Sequence, residues 1–554
     1  MRFLAVAMGL LALPALANAQ PVSPNALSVL DFGARCNVRQ LHDLAGGPHL
    51  WVYSKAGDAT VGFFGQPGQS VAFSGEDVGK AIVIAGIGAN HYPLATKIER
   101  VTNATTIVVA AAPLVTARAL PSVVAYGNDD GAAINAAIGS VPQGGRIRFP
   151  RGICGTASTI MLPSLLGATG YPDGGVSFAG EGQGASMLMA LADMDAVARE
   201  ATGWHLQARW SDLTVNGTGV ATYALDAAGG YEGVIRDAAF INGLTADIRV
   251  GDGEHASQGL RVSATRLLND ATIFPGVPAM PAYNLLVNGS DNHFTDVDAS
   301  GASTANFRDS TWGSNFYVAL HGFGPAQYVF WFNGNATCAA CEVDGATVGG
   351  VRMDGPGNVW TGGRMFFKRQ NIAGVYGFTL GAGGNTIVWP SIADLPARQF
   401  VQLTAGGVRN NAIMIAGLSP VFGRPNDLIG TTTDAASATV LTLDGAAPSA
   451  ANSIWLGDYS VVAVRGTLVV RDGATGGGAA WDVDALFTVG APGAAPVLVK
   501  GAIGPLFTTG GLAFPIPPGI GSAPEAIGSF ALTVRGVAGH TLHWKFTPVL
   551  SGVS

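Results

Sequence analysis

The feature that most constrains this chain is a recurring asparagine. Asn292, Asn315, Asn335, Asn358, Asn385 and Asn411 each lead an apolar-rich stretch: S-D-N-H-F-T, G-S-N-F-Y-V, N-G-N-A-T-C, P-G-N-V-W-T, G-G-N-T-I-V and R-N-N-A-I-M. Successive separations are 23, 20, 23, 27 and 26 residues. A period in this range means one coil of a solenoid per repeat, each coil burying its apolar face against its neighbours. An Asn at each turn fits, because its side chain can bond the backbone and stack on the Asn of the next coil as a ladder. All six are read as structural.

Composition narrows the solenoid to a β-rich one. Of 554 residues 79 are Gly and only 12% are charged, which argues against helical bundles, coiled coils and disorder. The formal charge of -7 leaves no basic footprint for nucleic acid. An acidic polymer would have to be met by local Arg or Lys. At the start, Arg2, the apolar run Phe3 to Leu16 and Ala17-Asn18-Ala19 form the three-part pattern of a secretory signal peptide. The expectation is a signal peptide over 1–19, a mature chain from about Gln20, and a secreted protein, periplasmic or extracellular. The apolar run is shorter than the roughly 20 residues of a spanning helix, so no membrane association is expected after signal removal.

Four cysteines in an exported chain are expected to be oxidised. Cys338 and Cys341 form C-A-A-C without the second pair a zinc site would want, and Cys36 lies far from Cys154. The expected disulfides are Cys36 with Cys154 and Cys338 with Cys341, with no metal. H-E-x-x-H spacings do not occur, and Walker, dinucleotide-binding and G-x-S-x-G patterns find no credible strand-to-helix context. No cofactor is expected.

Three blocks follow one another. Residues 20–125 hold Val29-Leu30-Asp31-Phe32-Gly33-Ala34 and a compact β-like stretch. Residues 126–425 open with Asp129-Asp130-Gly131-Ala132-Ala133-Ile134-Asn135-Ala136-Ala137-Ile138, a short amphipathic helix, followed by the strand Arg146-Ile147-Arg148-Phe149. From 426 to 554 the pattern becomes long alternating stretches broken by Gly-rich turns, which reads as antiparallel strands.

V-L-D-F-G-A, D-D-G-A-A-I-N-A-A-I, G-G-R-I-R-F-P-R-G-I and F-A-G-E-G-Q-G-A-S at Phe178 to Ser186 occur in that order. Together they resemble the amino-terminal cap and first coils of the pectate-lyase-like superfamily, which includes phage tailspikes and many secreted polysaccharide-degrading enzymes. One departure is an insertion of roughly 90 residues after D-F-G-A, in which F-S-G-E-D-V-G-K resembles a small β module of tail-fibre-like relatives. The resemblance implies an all-β fold: a right-handed parallel β-helix with an N-terminal cap and a C-terminal antiparallel β domain. It implies structural roles for Asp31, Asp129 and Asp130. The block 426–554 resembles, more loosely, the terminal module of tail-fibre and tailspike proteins, which implies a homotrimer; a carbohydrate-binding sandwich is the competing reading.

In a parallel solenoid, equivalent positions form columns about 4.8 Å apart per coil, so function is expected as a column. Counting from each Asn, positions three, five and seven are mostly small or β-branched and suit a narrow interior. Position two gives Phe294, Tyr317, Thr337, Trp360, Ile387 and Ile413; position six gives Asp298, His321, Cys341, Arg364, Ser391 and Gly417, with Asp296 at position four. If these face outward, an aromatic column beside a charged one makes a sugar-binding groove, with Phe294, Trp360 and Asp309 contacting the substrate. If parity flips at the bend, Phe294, Tyr317 and Trp360 are core.

Two mechanisms then compete on a polysaccharide substrate. A lyase acting on an acidic exopolysaccharide would use Arg364 to neutralise a uronate, His321 as base oriented by Asp298, and Tyr317 as the proton donor. A glycoside hydrolase would use Asp296 and Asp298, which at i and i+2 on one strand lie about 7 Å apart, within the inverting range. Asp309 or Asp344 could join them. A non-catalytic trimeric glycan-binding adhesin is the reading from another class. Asp252, Glu254, His255, Arg261, Arg266 and Asp270, just before Phe274-Pro275-Gly276-Val277-Pro278, form a second candidate site.

Overall fold

The computed structural model describes residues 26–41, 50–65, 71–141, 145–162, 175–200, 208–255, 257–271, 273–275, 280–324, 326–367, 374–388, 390–395, 401–403, 411–414, 428–433, 438–442, 445, 460–489, 495–509, 512, 514, 516–522 and 530–553. The expected leader, residues 276–278 of the proline-rich loop, the expected strand Ser453 to Leu456 and Gly417 lie outside them.

Coils of three strands build the middle of the chain. One coil runs Phe316–Val318, His321–Phe323 and Tyr328–Phe332; the next runs Thr337–Ala339, Glu342–Asp344 and Gly349–Met353. Each strand pairs in parallel with its counterpart one coil later. Stacking such coils gives three faces. The first and second meet at a corner and join in a 20-stranded ladder, while the third is a separate ten-stranded sheet. The chain is a right-handed parallel β-helix with an antiparallel β domain at its C-terminal end.

A single residue makes the corner between the first and second faces. Asp212, Asp237, Ala264, Asp296, Ala319 and Ala340 hold φ of 56°, 50°, 48°, 53°, 53° and 55°, and Gly362 occupies the same place at 64°. A left-handed conformation costs a non-glycine residue about 1–2 kcal/mol, so packing on either side must outweigh it. The corner also resets the alternation of a strand. Phe294 is buried, Thr295 and Asp296 are exposed, Val297 is buried, Asp298 is half-exposed and Ala299 is buried.

That reset decides the aromatic question: Phe294, Tyr317 and Trp360 point inward and are fully buried. Phe294 stacks on Tyr317 with centroids 5.1 Å apart, and Trp360 meets Phe330 and Phe378 edge-on at 5.3 and 5.6 Å. Equivalent positions of successive coils lie one above another, so rings there form a column of core contacts. Position three after the Asn, expected inside, faces outward, with Val318 exposed; positions five and seven are inside, as expected.

The asparagine ladder is present. Asn292 and Asn358 donate from Nδ2 to Oδ1 of Asn315 and Asn385 at 3.1 and 2.9 Å, and the backbone N–H of Asn385 donates to Oδ1 of Asn411 at 2.8 Å. One rung departs from the expected alignment. Asn335 lies one residue before the ladder, and Ala336 takes the place, its N–H donating to Oδ1 of Asn358. Asn335 instead has a left-handed φ of 56° and bonds the carbonyl of Trp312.

The helix Gly131–Gly139 packs against the 3-10 turn Val29–Phe32 at the N-terminal end. Asp130 ties this cap to the first coils: its buried carboxylate accepts from the N–H groups of Arg35, Cys36 and Gly155. Asp31 closes a capping box with Ser28, and Asp129 accepts from Gly131 and Ala157. Disulfides join Cys36 to Cys154, across 118 residues of sequence, and Cys338 to Cys341 across the Ala340 corner.

The described residues between 39 and 127 form an eight-stranded antiparallel unit with its own core around Val52, Phe63, Ile82 and Tyr126. The loop carrying Ile273 and Phe274 packs against Ala85 and Val123 of that unit. Its described residues hold the module against the β-helix. The described residues between 428 and 553 form a five-stranded and a three-stranded antiparallel sheet around Leu468, Trp481, Phe487 and Trp544.

Candidate functional site

The structure disperses part of the expected site. Tyr317, expected as a proton donor, is buried and donates to Oδ2 of Asp309 at 2.9 Å. Asp309, expected to touch substrate, also faces inward and accepts from Asn315 Nδ2 at 2.9 Å and from Thr311 Oγ1 at 3.0 Å. Burial drives its carboxyl up to about 6 despite these bonds, and burial together with the Asp309 charge pushes Tyr317 well above the usual phenol range. Phe294 and Trp360 are core, as above. Asp296 sits at the corner, so Asp296 and Asp298 are not neighbours on one face of a strand, and the expected carboxylate pair is not formed that way.

The second face does bring five expected or neighbouring residues into one column. Asp298, His321, Glu342, Arg364 and Ser391 are consecutive in register. His321 Nδ1 lies 3.4 Å from Asp298 Oδ1, and Arg364 Nη2 lies 3.1 Å from Glu342 Oε2. Glu342 holds the place expected for Cys341, because the count through Asn335 runs one residue out of register. Beside this column, His321 stacks on Phe323 at 5.1 Å and the Arg364 guanidinium lies 4.3 Å over the ring of Phe366. The Arg364 guanidinium and the His321 ring each already face a carboxylate, and all four groups are at least a third exposed, so each pair is worth little.

The second expected cluster is also split. Arg261 lies on the first face and Arg266 on the second, in register with His293 and Asp298. Asp252, Glu254 and His255 occupy the turn after the third-face strand Ala246–Val250. There His255 Nδ1 sits 3.0 Å from Asp252 Oδ2. Desolvation works to raise the Asp252 carboxyl, but bonds from the His255 ring and from the N–H groups of His255 and Glu254 outweigh it and hold it low.

The third face carries the most organised outer surface. Asp226, Arg249, Leu286, Arg308, Trp331, Arg352 and Thr379 follow one another in register. The Trp331 ring lies between two guanidinium groups, Arg308 at 4.2 Å and Arg352 at 4.3 Å. Its indole N–H donates to Asp354 Oδ2 at 2.7 Å, and the same carboxylate receives Arg352 Nε at 2.9 Å. Upstream, Arg249 lies 4.5 Å over Tyr223 and shares the fully buried carboxylate of Asp226 with Arg199.

Arg308 differs from its neighbours. It donates to the carbonyls of Asp309 and Trp331 and to Asn333 Oδ1, all neutral oxygens, and makes no ion pair among the described residues. Its guanidinium is half-buried, and desolvation lowers its affinity for the proton, although an Arg stays charged at any working pH. Asp354 and Asp309 act on it at longer range, but no carboxylate of the described residues bonds it directly, and a positioned, partly desolvated cation of this kind suits an anionic group because part of the cost of leaving water has already been met. The recurrence of Arg308, Trp331 and Arg352 at 23 and 21 residues is visible in the sequence. It escapes a count that stops seven residues after each Asn, because the third strand of the coil lies further on.

No family profile and no curated protein matches this sequence. Solved structures do resemble it. One, described as Geobacillus virus E2 ORF18, is 12% identical with a TM-score of 0.36, covering 71% of this chain and 77% of its own. The tailspike protein of Acinetobacter phage vB_ApiP_P1 is 10% identical with a TM-score of 0.31, over 77% of this chain and 86% of the other. A DFA-IIIase from Arthrobacter chlorophenolicus A6, solved in complex with GF2, is 12% identical with a TM-score of 0.36, over 52% and 85% of the two chains. At such identities, what this protein does must be read from its own side chains.

Proposed function

We propose that this is an exported protein that binds an acidic polysaccharide along the third face of the β-helix and depolymerises it by β-elimination. The observation that carries the reading is Arg308, held against Trp331 and without a direct ion-pair partner among the described residues, with a second cation, Arg352, two coils along at about twice the 4.8 Å rise. Trp331 serves as a spacer: its two faces fix both guanidinium planes, which reduces the entropy lost when a chain binds.

Chemistry follows from the same placement. Arg308 would neutralise a uronate carboxylate and so acidify the adjacent C–H. His255, oriented by Asp252 in the turn that follows the third-face strand two coils before Arg308, would be the base. The proton passes to that base, its electron pair forms the new C=C bond, and the glycosidic C–O bond breaks as the leaving oxygen takes a proton from solvent water, to which the base later returns its own. Arg308, Trp331 and Arg352 stand on strands, which favours fixed geometry for the cations, while His255 stands in a turn.

The C-terminal domain supports self-association. Its edge strand Val497–Thr508 is exposed along nearly its whole length, with Val497, Val499, Leu506 and Phe507 each more than half exposed. Long apolar edges are covered in stable proteins, and a homotrimer would cover three of them at once.

The test is incubation of the protein with polygalacturonate, alginate, hyaluronan and bacterial acidic exopolysaccharides, following new reducing ends and ultraviolet absorbance together. The expected result is both signals on at least one polymer, with absorbance lost in His255→Ala and both binding and turnover weakened in Arg308→Ala. Reducing ends without absorbance would replace elimination by hydrolysis. Binding without either signal would make the protein a glycan-binding one.

A further inference from the structure

The third-face column that carries Arg308 repeats its cations with a fixed period. In register, coil by coil, it reads Arg199, Asp226, Arg249, Leu286, Arg308, Trp331, Arg352 and Thr379. An arginine stands on every second coil, so neighbouring cations are two strand spacings apart, about 9.6 Å. Three of the four are held against an aromatic ring: Arg249 lies 4.5 Å over Tyr223, and Arg308 and Arg352 lie 4.2 and 4.3 Å from Trp331. Arg199 differs, since it sits between two carboxylates, 2.9 Å from Asp226 and 3.4 Å from Asp195. The ring-held set is Arg249, Arg308 and Arg352.

What stands between these cations separates the column from an ordinary charge ladder. On the second face the sign of the charge alternates from coil to coil, Asp298, His321, Glu342 and Arg364, and the column can satisfy itself. Between the ring-held arginines stand Leu286 and Trp331 instead, which neutralise nothing. Carboxylates do act on the outer two arginines. Fully buried Asp226 and, from the turn, Asp252 act on Arg249, and Asp354 accepts from Arg352 Nε at 2.9 Å. These bonds do not exhaust a guanidinium, which has five N–H donors, and the side chains of Arg249 and Arg352 remain 20% and 34% exposed. The outer two are weaker points than Arg308, but all three are open to solvent in one line.

A sugar unit in an extended chain advances by a length close to one strand spacing, so two coils match two units. We propose that Arg249, Arg308 and Arg352 form a three-point ruler for a linear, extended acidic glycan that turns one carboxylate to the protein on every second unit. The ruler rests on the reading of the third face as the glycan-binding surface and adds the spacing that the glycan must have. Two kinds of polymer present this pattern. One is a copolymer in which a uronate alternates with an uncharged sugar. The other is a flat two-fold chain of uronates, whose successive carboxylates point to opposite sides.

The experiment is calorimetric titration of the full protein with hyaluronan oligosaccharides of two, four, six and eight units, which carry one uronate per pair, and with mannuronate oligomers of the same lengths. Affinity should rise at least about threefold from two units to four and again from four to six. From six to eight it should rise by no more than about twofold, because every cation of the ruler is then occupied. Arg352→Gln should end the rise at four units; the length series in the unsubstituted protein stands without that variant. Steps with the hyaluronan series alone assign the alternating copolymer, and steps with the mannuronate series assign the two-fold chain. Affinity independent of length, an equal climb from six to eight units, or a rise that still ends at six in Arg352→Gln would overturn the ruler. So would no binding of either series: if an acidic polymer still retards the protein through Arg308, the ruler falls alone, and if none does, the third-face reading falls with it.

Discussion

At the scale of single residues, the pair Arg308 and Asp309 shows how one step along a strand separates two environments. Arg308 faces out and keeps its charge for a ligand; Asp309 faces in and serves the core. With its carboxyl raised to about 6 against an ordinary 3.8, Asp309 is a group whose protonated form the fold prefers. Between about pH 4 and 6 the folded state therefore binds more proton than the unfolded one, and stability falls as pH rises through that window. The difference is about 3 kcal/mol at neutral pH. Thermal midpoints measured from pH 4 to 7 should fall with rising pH through this window, and Asp309→Asn, which cannot titrate, should flatten that slope. The same slope in both proteins would show that Asp309 does not titrate there. Adjacent polar letters such as R-D give no sign of this division; only the register of the coil decides which of them meets water.

At the scale of elements, the sequence made the coil legible because the asparagine repeat reports a turn that every coil must make. Five of the six asparagines stand on one ladder. The exception, Asn335, shifts the count by one and conceals Glu342, since an off-register Asn looks the same in sequence as a laddered one. The inward turn of Phe294, Tyr317 and Trp360 was an open alternative for a related reason. The corner residue that resets parity is Asp296 in one coil and Ala319 or Ala340 in the next, and alanine carries no mark of a left-handed φ. The cap motifs and both cysteine pairs were easier to read, being fixed by short local patterns and by a small number of combinations. The C-terminal edge strand makes its own prediction. If Val497–Thr508 is covered by other copies, Val499→Lys with Phe507→Lys should convert a trimer to monomers in light scattering, by placing charge on both sides of the contact. A monomer in the unsubstituted protein would remove the trimer from the account.

At the scale of the whole molecule, the β-helix acts as a ruler. Each coil advances every column by one strand spacing, so a side chain repeated from coil to coil becomes a linear surface fitted to a linear polymer. Two such surfaces compete for the functional role. On the second face, His321 and Arg364 already have Asp298 and Glu342 beside them, and all four groups are substantially exposed. On the third, Arg308 is half-buried, fixed against Trp331 and unpaired by any carboxylate among the described residues. The energetic contrast favours the third, because a cation that is desolvated before binding gains more from an incoming carboxylate than one that must first leave a partner.

The measurement that tests this most directly is affinity electrophoresis of the unsubstituted protein, Arg308→Ala and Arg364→Ala in gels containing polygalacturonate, alginate or hyaluronan. Retardation by an acidic polymer that weakens at least about tenfold in Arg308→Ala, and changes by less than about twofold in Arg364→Ala, is the predicted result. Binding that survives in Arg308→Ala but is lost in Arg364→Ala would contradict it and move the site to the second face.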